Sequence, residues 1–92
     1  MNTEKQTVLI TGGARGIGAA TARLFAANGY NVIINYRTSK EKADALAAEI
    51  GGSVIFADVS NPDDVRRMFS DIDSIDVLIN NAGICGFYIL DA

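Results

Sequence analysis

Thr7-Val8-Leu9-Ile10-Thr11-Gly12-Gly13-Ala14-Arg15-Gly16-Ile17-Gly18 is the stretch whose reading decides the fold of this chain. Val8-Leu9-Ile10 is a continuous apolar run, as expected of a strand covered on both faces. Glycines at 12, 13, 16 and 18 then break it. The segment Ile17–Asn28 reads as a helix, with Ile17, Ala20, Leu24 and Ala27 on one face and Gly29 placed to end it. The stretch is therefore strand, turn and helix, with the turn built from residues that tolerate unusual backbone angles.

The same alternation continues to either side. Asn31–Tyr36, with Val32-Ile33-Ile34 at its centre, predicts a second strand. Thr38 and Glu41 have the spacing of a capping box at the start of a second helix. Ala43, Leu46, Ala47 and Ile50 follow at helical intervals, and Gly51-Gly52 stop it. Ser53–Val59 predicts a third strand. Asn61 is placed to cap a third helix, with Pro62 at its first position and Asp63 and Asp64 at its positive end; Val65, Met68, Phe69 and Ile72 form its expected buried face. Val77-Leu78-Ile79 makes a fourth strand that enters Asn80-Asn81-Ala82-Gly83. The order β-α-β-α-β-α-β requires parallel strands, because each helical crossover returns the chain to the same end of the sheet. The fold class is α/β, a Rossmann-type parallel sheet with helices on both faces, and residues 1–92 read as one partial dinucleotide-binding domain.

A glycine-rich turn from strand to helix has a specific chemistry. The helix start offers unpaired N–H groups and the positive end of its dipole, which together suit a pyrophosphate. Gly12 makes the tight turn, Gly16 leaves room for approaching phosphates, and Gly18 lets the helix press close to the strand. The intervening backbone of Gly13, Ala14, Arg15 and Ile17 completes the candidate surface. Four glycines in one turn of a βαβ unit are far more specific than one, although glycines also serve ordinary turns.

Thr11-Gly12-x-x-x-Gly16-x-Gly18 resembles the cofactor signature of the short-chain dehydrogenase/reductase family, in its single-domain form. Asn80-Asn81-Ala82-Gly83 is similar to that family's second signature, and Asp58-Val59 to its adenine-contacting pair. The likeness runs closest to members that resemble 3-oxoacyl-[acyl-carrier-protein] reductases. It implies a sheet order of 3-2-1-4 and a pyrophosphate shaped by Gly12, Gly16 and Gly18. It also implies an adenine amino group held by Asp58 beside the Val59 backbone, and an adenosine ribose running along Asn81, Ala82 and Gly83. Each of these residues has a plain alternative role, a solvated carboxylate or a turn that ends a strand. Their joint placement at strand C-terminal ends favours the ligand reading.

The end of the second strand discriminates between dinucleotides. NAD-binding versions of the fold place an acid there to hold the ribose 2′-hydroxyl. This chain has Asn35-Tyr36-Arg37, with no carboxylate, and guanidinium groups pair well with a 2′-phosphate. Arg37, helped by Arg15, favours NADP(H) over NAD(H).

The resemblance implies carbonyl/alcohol hydride transfer in the complete family member, using a serine and a Tyr-x-x-x-Lys pair. Tyr36 and Lys40 match that spacing by letter, but they follow the second strand, whereas the family's pair lies on a helix beyond the fourth. This chain is therefore expected to carry the cofactor half and to catalyse nothing by itself. The alternatives are a non-catalytic nucleotide-binding module and a truncated remnant that self-associates.

The totals narrow the function further. Eight basic and eleven acidic residues give a net charge of −3, which disfavours nucleic acids and anionic membranes. The single cysteine, Cys85, and the absence of histidine leave no disulfide or Cys/His metal cluster to expect. Met1–Gln6 lacks a secretory signal and no run is long enough to span a membrane, so a cytoplasmic protein is expected. Forty-nine per cent of the residues are hydrophobic, a large share for a small domain, and the fourth strand of a 3-2-1-4 sheet would be an open edge. A homo-oligomer, or a missing C-terminal half, is expected to cover it. Phe87, Tyr88 and Leu90 in the tail match nothing specific.

Overall fold

A computed structural model describes residues 5–14 and 16–81, and the backbone of residues 87–89. Strand β1 (Thr7–Thr11) leads into helix α1 (Gly16–Ala27), followed by β2 (Asn31–Tyr36), α2 (Lys40–Ile50), β3 (Ser53–Phe56), α3 (Pro62–Asp71), β4 (Val77–Asn80) and β5 (Phe87–Ile89). The sheet order is β3-β2-β1-β4-β5. The first four strands are mutually parallel in the expected 3-2-1-4 arrangement, with Leu9 level with Ile33 on one side and Leu78 on the other.

Strand alternation divides the core between two faces. Val8, Ile10, Val32 and Ile34 join Ala19 and Ala22 of α1 and Ala43, Leu46 and Ala47 of α2 on one face. Leu9 and Ala57 meet Met68 of α3 on the other, flanked by Ile33, Ile55, Ile72, Ile75 and Leu78. Helices thus cover both faces, two on one side and one on the other.

Several expectations are corrected. The apolar face read for α1 is not the buried one: Ile17 and Leu24 are 79% and 63% exposed, while Gly18, Ala19 and Ala22 face the sheet. The helix sits so close to the preceding turn that small residues must occupy the contact, and the large ones are turned outward. The Thr38–Glu41 capping box does not form. Ser39 is the N-cap of α2 without a side-chain bond, at φ −103° and ψ 55°, outside the extended conformation that aims a cap side chain at the first turn. Strand β3 ends at Phe56 and not at Val59, because Asp58 is drawn into the turn before α3: its N–H donates to Asp64 Oδ2 (2.9 Å) and its C=O accepts from the Asn61 N–H (2.9 Å). On α3 only Met68 is fully buried, and Phe69 is exposed.

The fourth-strand edge is also not open. Strand β5 pairs antiparallel with β4, Leu78 opposite Tyr88. A chain reversal after β4 was invisible to a reading that sought parallel crossovers, since three residues make a weak strand signal.

Two ends were read correctly. Gly51 closes α2 in the left-handed conformation, φ 71°. Asn61 caps α3, its Oδ1 accepting from the N–H groups of Asp63 (2.9 Å) and Asp64 (3.3 Å).

Candidate nucleotide site at the strand C-terminal ends

Parallel strands bring the glycine turn, the end of β2, the β3–α3 loop and the end of β4 to one edge of the sheet. Gly12 and Gly16 both have φ +62°, which L side chains rarely adopt. Nothing lies within 4 Å of a Cβ built at Gly16, so the space above the start of α1 is open. Gly18 is the opposite case. A Cβ there would sit 2.6 Å from the Gly12 carbonyl oxygen, 2.7 Å from Asn81 Nδ2 and 2.9 Å from Gly13 Cα. Close packing of helix against turn depends on its missing side chain.

The helix starts of α1 and α3 are chemically different. Asn61, Asp63 and Asp64 supply negative charge and acceptors to α3 from its own sequence. The first turn of α1 holds no acid, leaving its positive end available to an external anion.

The turn is anchored from both sides. On the β4 side, the Thr11 hydroxyl lies 3.2 Å from Asn80 Oδ1 and accepts from the Asn81 N–H (2.9 Å). Asn81 Nδ2 donates to the Gly12 carbonyl (3.1 Å). On the β2 side, Asn35 Oδ1 accepts from the Gly12 N–H (3.3 Å), and the Asn35 carbonyl accepts from Gly13 N–H (3.2 Å). Asn35 Nδ2 donates to the carbonyls of Ala57 (3.1 Å) and Ile55 (3.4 Å). Asn35, one of the expected site residues, thus has its amide bonded within the chain.

A cleft of about 310 Å³ opens at this edge, lined by Gly12, Asn35, Arg37, Ala57, Asp58, Val59 and Ser60. Asp58 Oδ1 accepts from the Ser60 hydroxyl (2.6 Å) and the Ser60 N–H (3.0 Å). These bonds, side chain first, hold the carboxyl below its ordinary range; burial opposes them slightly and the charge of Arg37 assists. Asp58 is thus an ionised acceptor at neutral pH. Tyr36 lies outside this cleft lining and packs its ring edge-on to Phe56 at 5.8 Å, where Arg67 Nη2 also donates to the Phe56 carbonyl (2.9 Å). Lys40 bonds to Asp44 (2.7 Å), which raises its pKa and commits its ammonium to that carboxylate.

Of the expected site residues, the structure gathers Gly12, Asn35, Arg37, Asp58 and Val59 on the cleft and sets Asn81 against the turn. Gly13 and Gly18 are buried, whereas Gly16 and Ile17 are exposed at the helix start. Ala14 lines a separate groove between α1 and α2. Arg15, Ala82, Gly83 and Cys85 lie outside the described residues, as does Leu90. Sequence reasoning missed Thr11 as a bridge between β1 and β4, and Ser60 as the partner of Asp58. A hydroxyl two residues after an aspartate is a visible signal of such a turn. Among the described residues no three His, Cys, Asp or Glu side chains form a group able to hold a metal ion, and no helix is long and apolar enough to cross a membrane.

A parallel sheet with a glycine turn at its carboxyl edge defines a Rossmann-like α/β domain. Residues 6–91 match the sequence profile of the short chain dehydrogenase family. The 3-oxoacyl-[acyl-carrier-protein] reductase FabG of Staphylococcus aureus is 43% identical, over 86% of this chain and 36% of that protein. The 3-oxoacyl-[acyl-carrier-protein] reductase of Synechocystis is 47% identical with the same coverage. The crystal structure of BdcA in complex with NADPH superimposes with a TM-score of 0.80 at 44% identity, covering 86% of this chain and 32% of that one. The chain belongs to the short chain dehydrogenase family, an oxidoreductase family, and spans about a third of the length of these relatives.

Proposed function

We propose that this chain is the NADP(H)-binding part of a short-chain oxidoreductase. The observation that carries the reading is the convergence of Gly12, Arg37, Asp58 and Val59 on one cleft beside the start of α1, whose first turn holds no acid. The pyrophosphate would lie over Gly12–Gly18, where the space above Gly16 is free and the helix start supplies N–H donors. The adenine amino group would donate to the ionised Asp58, with the Val59 backbone alongside. Asn81, Ala82 and Gly83 would follow the adenosine ribose. Arg37, with Arg15, would pair with the 2′-phosphate, and the absence of an acid at the end of β2 removes the group that would repel it. The exposed Ile17 would be partly covered by the bound dinucleotide. The NADPH held by BdcA supports the same choice of cofactor.

The bound nicotinamide nucleotide supplies hydride chemistry; these residues bind and orient it. Carbonyl/alcohol hydride transfer would be the reaction this cofactor site serves. The chain is read as a cofactor-binding unit of a cytoplasmic enzyme.

A fluorescence titration of the purified chain with NADPH, and with NADH as comparator, tests the proposal. Micromolar NADPH binding that exceeds NADH binding and falls in Arg37→Asp is the expected result. A folded chain that binds neither nucleotide, or prefers NADH, overturns it.

A further inference from the structure

Among the described residues Asn35 is the one large polar side chain in the buried centre of the sheet, 2% exposed, and the cofactor placement above assigns it no ligand contact. It follows Val32-Ile33-Ile34, on the face where Leu9 and Ala57 pack. An apolar residue there would extend the core. A buried amide is costly unless every polar atom is paired, and this one is: Oδ1 to the Gly12 N–H at 3.3 Å, Nδ2 to the Ala57 and Ile55 carbonyls at 3.1 and 3.4 Å. Its main-chain carbonyl holds Gly13 N–H at 3.2 Å.

The partners lie on opposite walls of the cleft. Gly12 belongs to the glycine turn, and Ala57 starts the loop that carries Asp58 and Val59. We propose that Asn35 is a positioning residue, a clamp that fixes the span between the glycine turn and the Asp58 loop. The proposal rests on the cofactor reading above for the meaning of that span. The chemistry selects asparagine. The site needs one acceptor facing the turn and two donors facing carbonyls, a set that only a primary amide supplies at this length. An ionised aspartate would turn an acceptor on each carbonyl, and glutamine is one methylene too long for the gap.

A dinucleotide touches both walls at once, so it feels the span. A ligand confined to one wall does not. This separates a clamp from a residue that only stabilises the fold. The test uses the full chain and Asn35→Ala, with NADPH and adenine, which is placed on the Asp58 loop alone, as probes and amide hydrogen exchange as a second readout. The expected result is a Gly12 N–H that exchanges at least about tenfold faster, NADPH bound about tenfold more weakly, and adenine binding changed by less than about twofold. The Asn31 and Asp76 amides, which bond to Gln6 and Thr7 at the far end of the strands, should keep their protection. If Asn35→Ala fails to fold, Asn35→Ser, which keeps the site polar and admits water, carries the same comparison.

Unchanged Gly12 exchange overturns the clamp. Equal loss of both probes, or loss of protection at Asn31 and Asp76 as well, reduces Asn35 to general stability and also overturns it. An unsubstituted chain that binds neither probe sinks the cofactor reading instead, and Gly12 exchange then decides the clamp by itself.

Discussion

The two ends of the sheet carry two clefts, and the larger is the poorer site. At the N-terminal ends of the strands a space of about 530 Å³ is bounded by Thr7, Asn31, Gly52, Ser53 and the end of α3, with Asp71 and Asp73 on its rim. At the C-terminal ends the cleft is about 310 Å³ and holds Gly12, Arg37 and Asp58. Strand polarity explains the difference. Parallel strands joined by right-handed crossovers point every helix start toward their carboxyl ends and every helix stop toward their amino ends. Open N–H groups and positive dipole ends collect at one edge, carbonyl groups and helix-terminal acids at the other. Volume says nothing about which edge attracts an anion; the direction of the chain does.

The sharpest way to break this comparison is to crowd each end in turn. Gly18 and Gly52 are both tight: a Cβ at Gly52 would meet the Val32 carbonyl oxygen at 2.7 Å, one at Gly18 the Gly12 carbonyl oxygen at 2.6 Å. Gly18→Ala and Gly52→Ala should each cost about 1–3 kcal/mol, read as a drop in Tm. Only Gly18→Ala should also abolish NADPH binding at a temperature where both variants are folded. Loss of binding in Gly52→Ala would show that the two ends are not separable.

A charge change gives the next largest effect. Arg37→Asp should weaken NADPH by tenfold or more, the scale of a charge-assisted hydrogen bond worth about 1.5–3 kcal/mol, while leaving NADH affinity and Tm little altered. At the other end, Asp73→Asn should leave both affinities unchanged. An equal response to the two substitutions in a titration at fixed salt would mean a diffuse field and no localised phosphate site.

The smallest effect is the titration of Asp58. Its carboxyl is held below the ordinary value of 3.8, chiefly by Ser60. A depressed folded pKa contributes stability that is complete above the unfolded value and is lost as pH falls through the folded one. The Asp58–Ser60 turn should therefore persist to a lower pH than a free aspartate would allow. Ser60→Ala should move the Asp58 midpoint, followed by carboxyl NMR, back toward 3.8. No movement would remove Ser60 as the cause.

Legibility in the sequence followed the range of each interaction. The Asn61 cap bonds two and three residues ahead, and Gly51 ends α2 through its own backbone angles; both are local and both were readable. The Arg23–Glu49 ion pair joins α1 to α2 at 2.7 Å across 26 positions of sequence, and nothing local signals it. The same holds for Thr11, whose contacts with Asn80 and Asn81 lie some 70 residues away. The α1 error is the most informative. Periodicity ranks residues by hydrophobicity, but the contact with the glycine turn selects by size, and Gly18 and Ala22 outrank Ile17 and Leu24 for the inner face.

The sequence by itself determined the order of the first four strands and the three helices, the parallel pairing of those strands, the glycine turn and the charge balance at the end of β2. Each follows from local periodicity, capping chemistry or backbone freedom, which are properties of neighbours along the chain. Tertiary structure decided which face of α1 is buried, that β5 folds back on β4, and that Asn35 spends its amide on joining Gly12 to Ala57. Those outcomes depend on distances between segments far apart in sequence, set only when the sheet assembles and brings the segments together.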